Sequence, residues 1–375
     1  MSATFVEARP IESDWIGWLK RELAPTHLRE IRTAIIVVGA VLCVIISMAL
    51  QVPQLATSAY MVFFASKESK LLTKITGVGG IIALTIGIGA TLLLYKFTFG
   101  HPELRIPGMA IALFLGMWLS RALVIGPLGF LLGFVIAVSQ SVGEAAPSPE
   151  YLVRQLLWLW VALVYAIALT VVLNSFFLPD TPKAGEHRPK NASPARTLFK
   201  PDAFTNPANV HFALKVTFAA MFCYIVYEAI DWSGIHTAFI TCTFIALEST
   251  EATLYKGTLR FVGCVVGGAL ALFSIVCLMP HMETIVSLVV LVACASAISG
   301  WVATGTERIS YAGLQLAFAF FYSIFQGYAP DTDLDNVRNR VVGILFGLVV
   351  TAFVFKYIWP EKARIEREQE ASIPA

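Results

Sequence analysis

Apolar runs of roughly 20 residues, the length a helix needs to cross a bilayer, recur along most of this chain of 375 residues. In lipid every backbone N–H and C=O must be paired within the protein, so only helices or a closed barrel can span it. The runs are continuous rather than alternating, which favours helices. Composition agrees: 14% of the residues are charged, against about 25% in a soluble domain. The reading is an all-α polytopic membrane protein whose first partner is the lipid bilayer. No basic block accompanies the net charge of +2, so no nucleic-acid partner is expected. Cys43, Cys223, Cys242, Cys264, Cys277 and Cys294 all sit inside apolar runs and read as small packing residues rather than disulfides. The first 30 residues hold Glu7, Arg9, Glu12, Asp14, Lys20 and Arg21 around no apolar core, so insertion is expected to start from the first span.

The chain is written twice. "RTAIIVVGAVLCVIISMALQVPQLATSAYMVFFASKES" from Arg32 resembles "KVTFAAMFCYIVYEAIDWSGIHTAFITCTFIALESTEA" from Lys215, an offset of about 183. Lys74 falls near Lys256, Trp118 on Trp301 and Arg154 on Arg338, and Pro179 and Pro360 close the copies. Each copy offers six spans, near 32–51, 55–66, 75–95, 106–120, 122–140 and 155–178, then 213–230, 235–247, 258–279, 284–303, 309–327 and 340–358. About 12 transmembrane helices in two parallel six-helix repeats are predicted, because an even number of spans returns both copies to one side. The expected organisation is a cytoplasmic N-terminal segment 1–31, a first membrane repeat 32–179, a linker 180–210, a second repeat 211–360 and a tail 361–375. The Pro- and Lys-rich linker reads as an exposed tether.

Lys and Arg crowd the N-terminus, "SKESKLLTK", the linker and "PEKARIERE", whereas "QVPQ", "IDWSG" and "MPHME" have none. The positive-inside rule puts the first group, and both termini, in the cytoplasm. "YKFTFGHPELR", with Lys96 and Arg105, is the exception.

"KRELAPTHLREIRTA", "ALQVPQLATSAYMVFFASKES", "DWSGIHTAFIT" and "ERISYAGLQLAFAFFYSIFQGYAPDTDLDNVRNRVVGILFG", taken in order over roughly residues 15–360, resemble the fusaric-acid-resistance family, close to the aromatic acid exporters. The resemblance implies a bacterial inner-membrane efflux permease for aromatic carboxylic acids or related drugs. It also implies work with a periplasmic adaptor and an outer-membrane channel. Longer relatives carry a sizeable cytoplasmic domain that the linker and tail here do not match. A homo-oligomer is compatible with the sequence.

Candidate pathway residues come from the second span of each copy. "LATSAYMVFFAS" and "IHTAFITCTFIAL" cover only about 18–20 Å of a roughly 30 Å core. Short spans in matching positions point to a midplane site, here with Ser58, Tyr60, His236, Thr237 and Thr241 facing it, and Gln315 from the fifth span of the second copy. Asp231, His236 and Glu248 are the candidates for proton coupling, since an imidazole or carboxylate near the membrane can take up and release a proton. Glu248 and Glu251 are alternatively expected to pair with Lys256 and Arg260, whose shared helix face would otherwise attract an anion. Gly263 and Gly267 form a G-x-x-x-G, read as close helix packing. Asp331, Asp333, Asp335, Arg338 and Arg340, packed between two apolar runs, read as an ion-paired periplasmic clamp, with a charged exit mouth or docking surface as the competing reading.

The sequence has no Cys/His metal spacing, nucleophile elbow or phosphate loop. No enzyme activity, metal or cofactor is expected, and proton coupling is the expected energy source. A passive organic-anion channel and a non-transporting envelope component are the alternatives.

Overall fold

A computed structural model describes residues 15–141, 147–179, 198–247 and 249–358. Thirteen helices are found among them: α1 (Trp15–Glu22), α2 (His27–Ala49), α3 (Leu55–Ala65), α4 (Lys70–Thr98), α5 (Pro102–Ala122), α6 (Gly126–Ser141), α7 (Pro149–Phe177), α8 (Pro207–Ala229), α9 (Thr237–Ile245), α10 (Thr250–Phe273), α11 (Ile285–Ala303), α12 (Ser310–Ile324) and α13 (Asp335–Phe353). One two-residue hairpin, β1 (Phe325–Gln326) and β2 (Ala329–Pro330), follows α12. The chain is an all-α polytopic membrane protein. Eight of its described helices are long and apolar enough to cross a membrane, whereas α3, α6, α9 and α12 are shorter.

Local chemistry sets the helix ends. Ser69, Ser148, Ser249 and Thr284 each accept a hydrogen bond from a first-turn N–H of α4, α7, α10 and α11, the usual N-cap device. Pro149 and Pro207 stand in the first turns of α7 and α8, where a missing N–H costs nothing.

The halves share a succession of elements. α2 and α8 start at 27 and 207, 180 residues apart, and both run for 23 residues. Gln51 and Asp231 then turn the chain with φ of 51° and 52°. The Thr73 hydroxyl accepts from Lys67 N at 3.2 Å and Thr253 from Leu247 N at 3.0 Å. The offset here is therefore 180, not 183. It becomes 183 by the start of α11: α10 with its π-helical end, Ser274–Leu278, matches the 29 residues of α4, and the connection that follows, which contains the 3-10 turn Met279–His281, is three residues longer than its counterpart.

The halves meet where α2 packs on α11, α5 on α8 and α3 on α12. At one end of the bundle the Arg29 guanidinium of α2 lies over the Trp301 ring of α11 at 4.8 Å. Its Nε donates to Trp301 O at 2.9 Å, and Nη1 donates to Glu22 O at 2.7 Å. At the opposite end Leu55 N donates to Gly327 O in the hairpin at 3.2 Å. Two sequence expectations change in detail. Arg121 does not break α5, which runs to Ala122; the break falls at Leu123–Ile125, where Val124 N donates to Leu198 O and Lys200 N to Ala122 O. The far end of the linker is thus docked rather than a free tether, with Ala203 buried and Trp118, Phe199 and Phe204 in ring contact. Its residues 180–197, residues 1–14 and the tail 361–375 lie outside the described residues.

Outward-facing apolar rows such as Ile75, Val78, Ile82, Ile86 and Leu93 on α4 are more than half exposed. Such continuous apolar rows on a membrane helix are lipid-facing, since a soluble surface rarely carries large apolar patches.

One close backbone contact joins α10 to α12. A Cβ added at Gly263 would lie 2.4 Å from Ala312 O, and one at Gly267 would lie 2.4 Å from Leu316 O. The backbones approach so closely only because both positions lack a side chain. Gly267→Val is expected to lower folding stability by about 1–3 kcal/mol or more, the cost of overpacking. Gly89→Ala, whose Cβ would meet nothing within 4 Å, should melt within a degree or two of the parent. Thermal melts of the two purified variants check this.

Candidate functional site

Packing of α10 on α12 sets a row of cations against a row of aromatics. Tyr311, Gln315, Phe318 and Tyr322 recur on α12 at intervals of four, three and four, one face of a helix. That face spans about 16 Å of the membrane at 1.5 Å per residue. Lys256 Nζ of α10 lies 4.9 Å from the Tyr311 ring centre. One turn on, the Arg260 guanidinium lies 5.8 Å from Phe318 and 5.9 Å from Phe244 of α9. Arg340 of α13 follows, 4.9 Å from Phe318 and 4.5 Å from Tyr322. The first half closes the row: Tyr60 of α3 meets Phe318 edge-on at 5.0 Å, and Thr57 and Tyr322 share a hydroxyl hydrogen bond of 2.8 Å.

Arg260 is 2% exposed and Arg340 8%, so both charges are nearly removed from water. Arg260 is held firmly: Nε donates to Thr241 Oγ1 at 3.0 Å, and Nη1 to Gln315 Oε1 at 2.6 Å and Tyr311 OH at 3.4 Å. Its Nη2 has no hydrogen-bond partner. Arg340 is held by rings, and its Nε and Nη1 are buried without a partner. Among the described residues no carboxylate pairs with Lys256, Arg260 or Arg340. Both guanidinium groups share the Phe318 ring, so they are close enough to repel; two such charges about 10 Å apart cost about 1.7 kcal/mol at an effective dielectric of 20. A buried guanidinium with free N–H groups and aromatic walls, and with no carboxylate paired to it among the described residues, has donors that suit an anion.

Several expected site residues are in this row: Tyr60, Thr241 and Gln315 touch Arg260 or Phe318. Others are not. Ser58 is buried but donates to Gln54 O at 3.2 Å, on the side of α3 that faces Tyr165 of α7. Thr237 is buried one turn from Thr241, against Gly343 of α13, with its hydroxyl unpartnered. His236 lies within Coulombic reach of Arg340, its Nδ1 3.1 Å from Ser233 O. Asp231 is exposed at the left-handed turn after α8, and Glu248 lies outside the described residues. Glu251 is exposed, and Lys256 and Arg260 turn to α12 rather than to it.

The five-charge clamp divides. Asp335 pairs with Arg338 at 3.1 Å on the surface. Asp331 Oδ1 accepts from Thr332 N and Asp333 Oδ1 from Asp335 N, which shapes the turn into α13. Arg340 joins none of them and points inward to the aromatic row. In the first half Arg154 pairs with Glu150 at 2.7 Å. Phe318, Tyr322 and Tyr311 were not singled out from sequence, although their spacing with Gln315 marks one helix face. A cleft of about 260 Å³ lined by Met48, Met279, Met282 and Glu283 shares no residue with the row.

Residues 221–354 match the family model described as fusaric acid resistance protein-like. Over this segment, about a third of its length, the chain is similar to that family. The segment contains all three cations and the whole aromatic face of α12. Multidrug resistance protein MdtO of Escherichia coli (strain K12) is 35% identical over 184 residues, 49% of this chain and 26% of the relative. MdtO of Shigella flexneri is 37% identical over 161 residues, 43% of this chain and 24% of the relative. The chain thus spans about a quarter of the length of the curated relatives it matches. No solved structure matches it.

A buried site of this kind has an unusual stability signature. Replacing a buried unpaired charge by an apolar group of similar shape is often neutral or stabilising, by as much as about 1–4 kcal/mol. Arg340→Met is therefore expected to melt at or above the parent temperature, while Arg338→Ala, which breaks only an exposed pair, shifts stability by about 1 kcal/mol or less. A marked loss of stability in Arg340→Met would mean that the guanidinium is a structural group and not a receptor.

Proposed function

We propose that the protein is an inner-membrane permease that exports aromatic carboxylic acids or related anionic drugs. The observation that carries this reading is the row of Arg260 and Arg340, both buried, and the half-buried Lys256 on Tyr311, Phe318 and Tyr322, with no carboxylate paired to it among the described residues. A carboxylate matches guanidinium donors, and aromatic walls suit a ring. The multidrug resistance relatives support export as the direction.

In this proposal both termini and the Lys256 end are cytoplasmic, the hairpin end is periplasmic, and the two six-helix halves are parallel repeats. A periplasmic adaptor and an outer-membrane channel receive the substrate, and the permease works as a homo-oligomer. Of the three groups considered for proton coupling, His236 is the described one close to the row. One observation favours a second reading, a passive anion channel: no acid lies among the described residues of the row to carry a proton against the substrate.

Uptake of labelled 4-hydroxybenzoate into inverted vesicles separates these readings. A proton-coupled permease needs the gradient; a channel takes up the acid down its own gradient without it. A charge-assisted hydrogen bond is worth about 1.5–3 kcal/mol, so Arg340→Gln should slow uptake roughly 10- to 150-fold. Unchanged uptake in Arg340→Gln and Arg260→Gln would overturn the site. The orientation is checked by maleimide labelling in a background with Cys277 and Cys294 changed to serine. Glu283→Cys should react from outside intact cells, and Lys70→Cys only after permeabilisation.

A further inference from the structure

The reading of the row as an aromatic-anion site, on which this inference rests, leaves open how many negative charges the site takes. Three features bear on it. Arg260 and Arg340 are both nearly buried, so each needs its own compensation in a medium where water is absent. Each keeps an unpartnered buried donor: Nη2 on Arg260, and Nε and Nη1 on Arg340. Both lie against one ring, Phe318, at 5.8 and 4.9 Å from its centre, so their separation cannot exceed the sum of those distances. A single carboxylate satisfies one guanidinium and leaves the other charged, buried and unpaired. Two acidic groups on one small ring frame answer both.

We propose that the site between Arg260 and Arg340 is built for an aromatic substrate with two anionic groups. One acid meets Arg260 Nη2 and the other meets the free donors of Arg340. The ring of the substrate lies among Phe318, Tyr60 and Tyr322. The two arginines have different parts. Arg260 is fixed by Thr241, Gln315 and Tyr311, so it offers one pre-aimed donor. Arg340 has no such hydrogen bonds and offers a freer fork, so its acid is bound with more tolerance of position. A dianion also neutralises both cations, whereas a monoanion paired with one leaves the other charged and buried.

The test uses the purified full-length protein and a matched pair of ligands, isophthalate and its monomethyl ester. They share ring and outline and differ by one charge. Binding is read by calorimetry at fixed salt and pH 7, where both free carboxylates are ionised. Isophthalate is expected to bind at least tenfold more tightly than the ester. In Arg260→Gln and in Arg340→Gln the preference should fall below about twofold. Equal binding of the two ligands to the parent protein overturns the proposal whatever the variants do, and leaves the aromatic-anion site standing. A preference that survives in both variants also overturns it, because the second charge is then bound elsewhere. If neither ligand binds and 4-hydroxybenzoate is not transported, the underlying reading fails as well.

Discussion

Removing a guanidinium from water without a counter-ion costs several kcal/mol, and the centre of this protein does so twice. The surroundings offset that cost in part. Arg260 exchanges water for Thr241, Gln315 and Tyr311; Arg340 exchanges it for the faces of Phe318 and Tyr322. A cation over a desolvated ring gains about 2 kcal/mol, which does not match a lost hydration shell. The remainder must come from packing elsewhere. The glycine contact of α10 with α12 is central to it: without Gly263 and Gly267 the helices could not lie close enough for Arg260 to reach Gln315 across the seam. Close packing and the charged row are thus one feature of the fold.

Much of the fold was legible because membrane spans are long and apolar. All twelve expected segments are helices, and the short ones, α3 and α9, are where the copies predicted them. The site was legible only in part, and the errors have one cause. Residues two apart on a helix point to opposite faces, whereas residues three or four apart share one. Arg338 and Arg340 were grouped by nearness in sequence; on α13 one faces solvent and pairs with Asp335, and the other faces the core. Ser58 and Tyr60 were grouped in the same way, and they too divide. Thr57, three residues before Tyr60, is the neighbour that reaches the row, through Tyr322. The offset of 183 holds at α5 and α11 but not before the longer connection that follows α10, and no pattern of apolar residues distinguishes such an insertion from a uniform shift.

The two halves are unequal in chemistry. With the offset of 180 that holds from α2 to the start of α10, the counterparts of Lys256 and Arg260 are Thr76 and Gly80. The first half supplies α3, with Thr57 and Tyr60, as a wall; the second supplies every cation. The family match over 221–354 falls on the charged half. The matching succession of elements in the two halves therefore does not extend to the charges. An anion in the row sees a field set by one half and a contact surface set by both.

That asymmetry bears on the source of energy. A bacterial membrane is negative inside, and moving one charge through it is worth about 2.3 kcal/mol per 100 mV. In the proposed orientation, an anion carried outward along Lys256, Arg260 and Arg340 would move with that potential. A monoanion gains about 2.3 kcal/mol at 100 mV, enough for a concentration ratio near 50; a dianion gains twice that. Outward transport of an anion can therefore proceed with no proton bound at all. A carboxylate in the row would weaken the attraction that draws the substrate in, and would have to be protonated before each cycle. On the proposed reading, a row of cations lined by rings and free of acids among its described residues suits a path for anions driven outward by the potential alone.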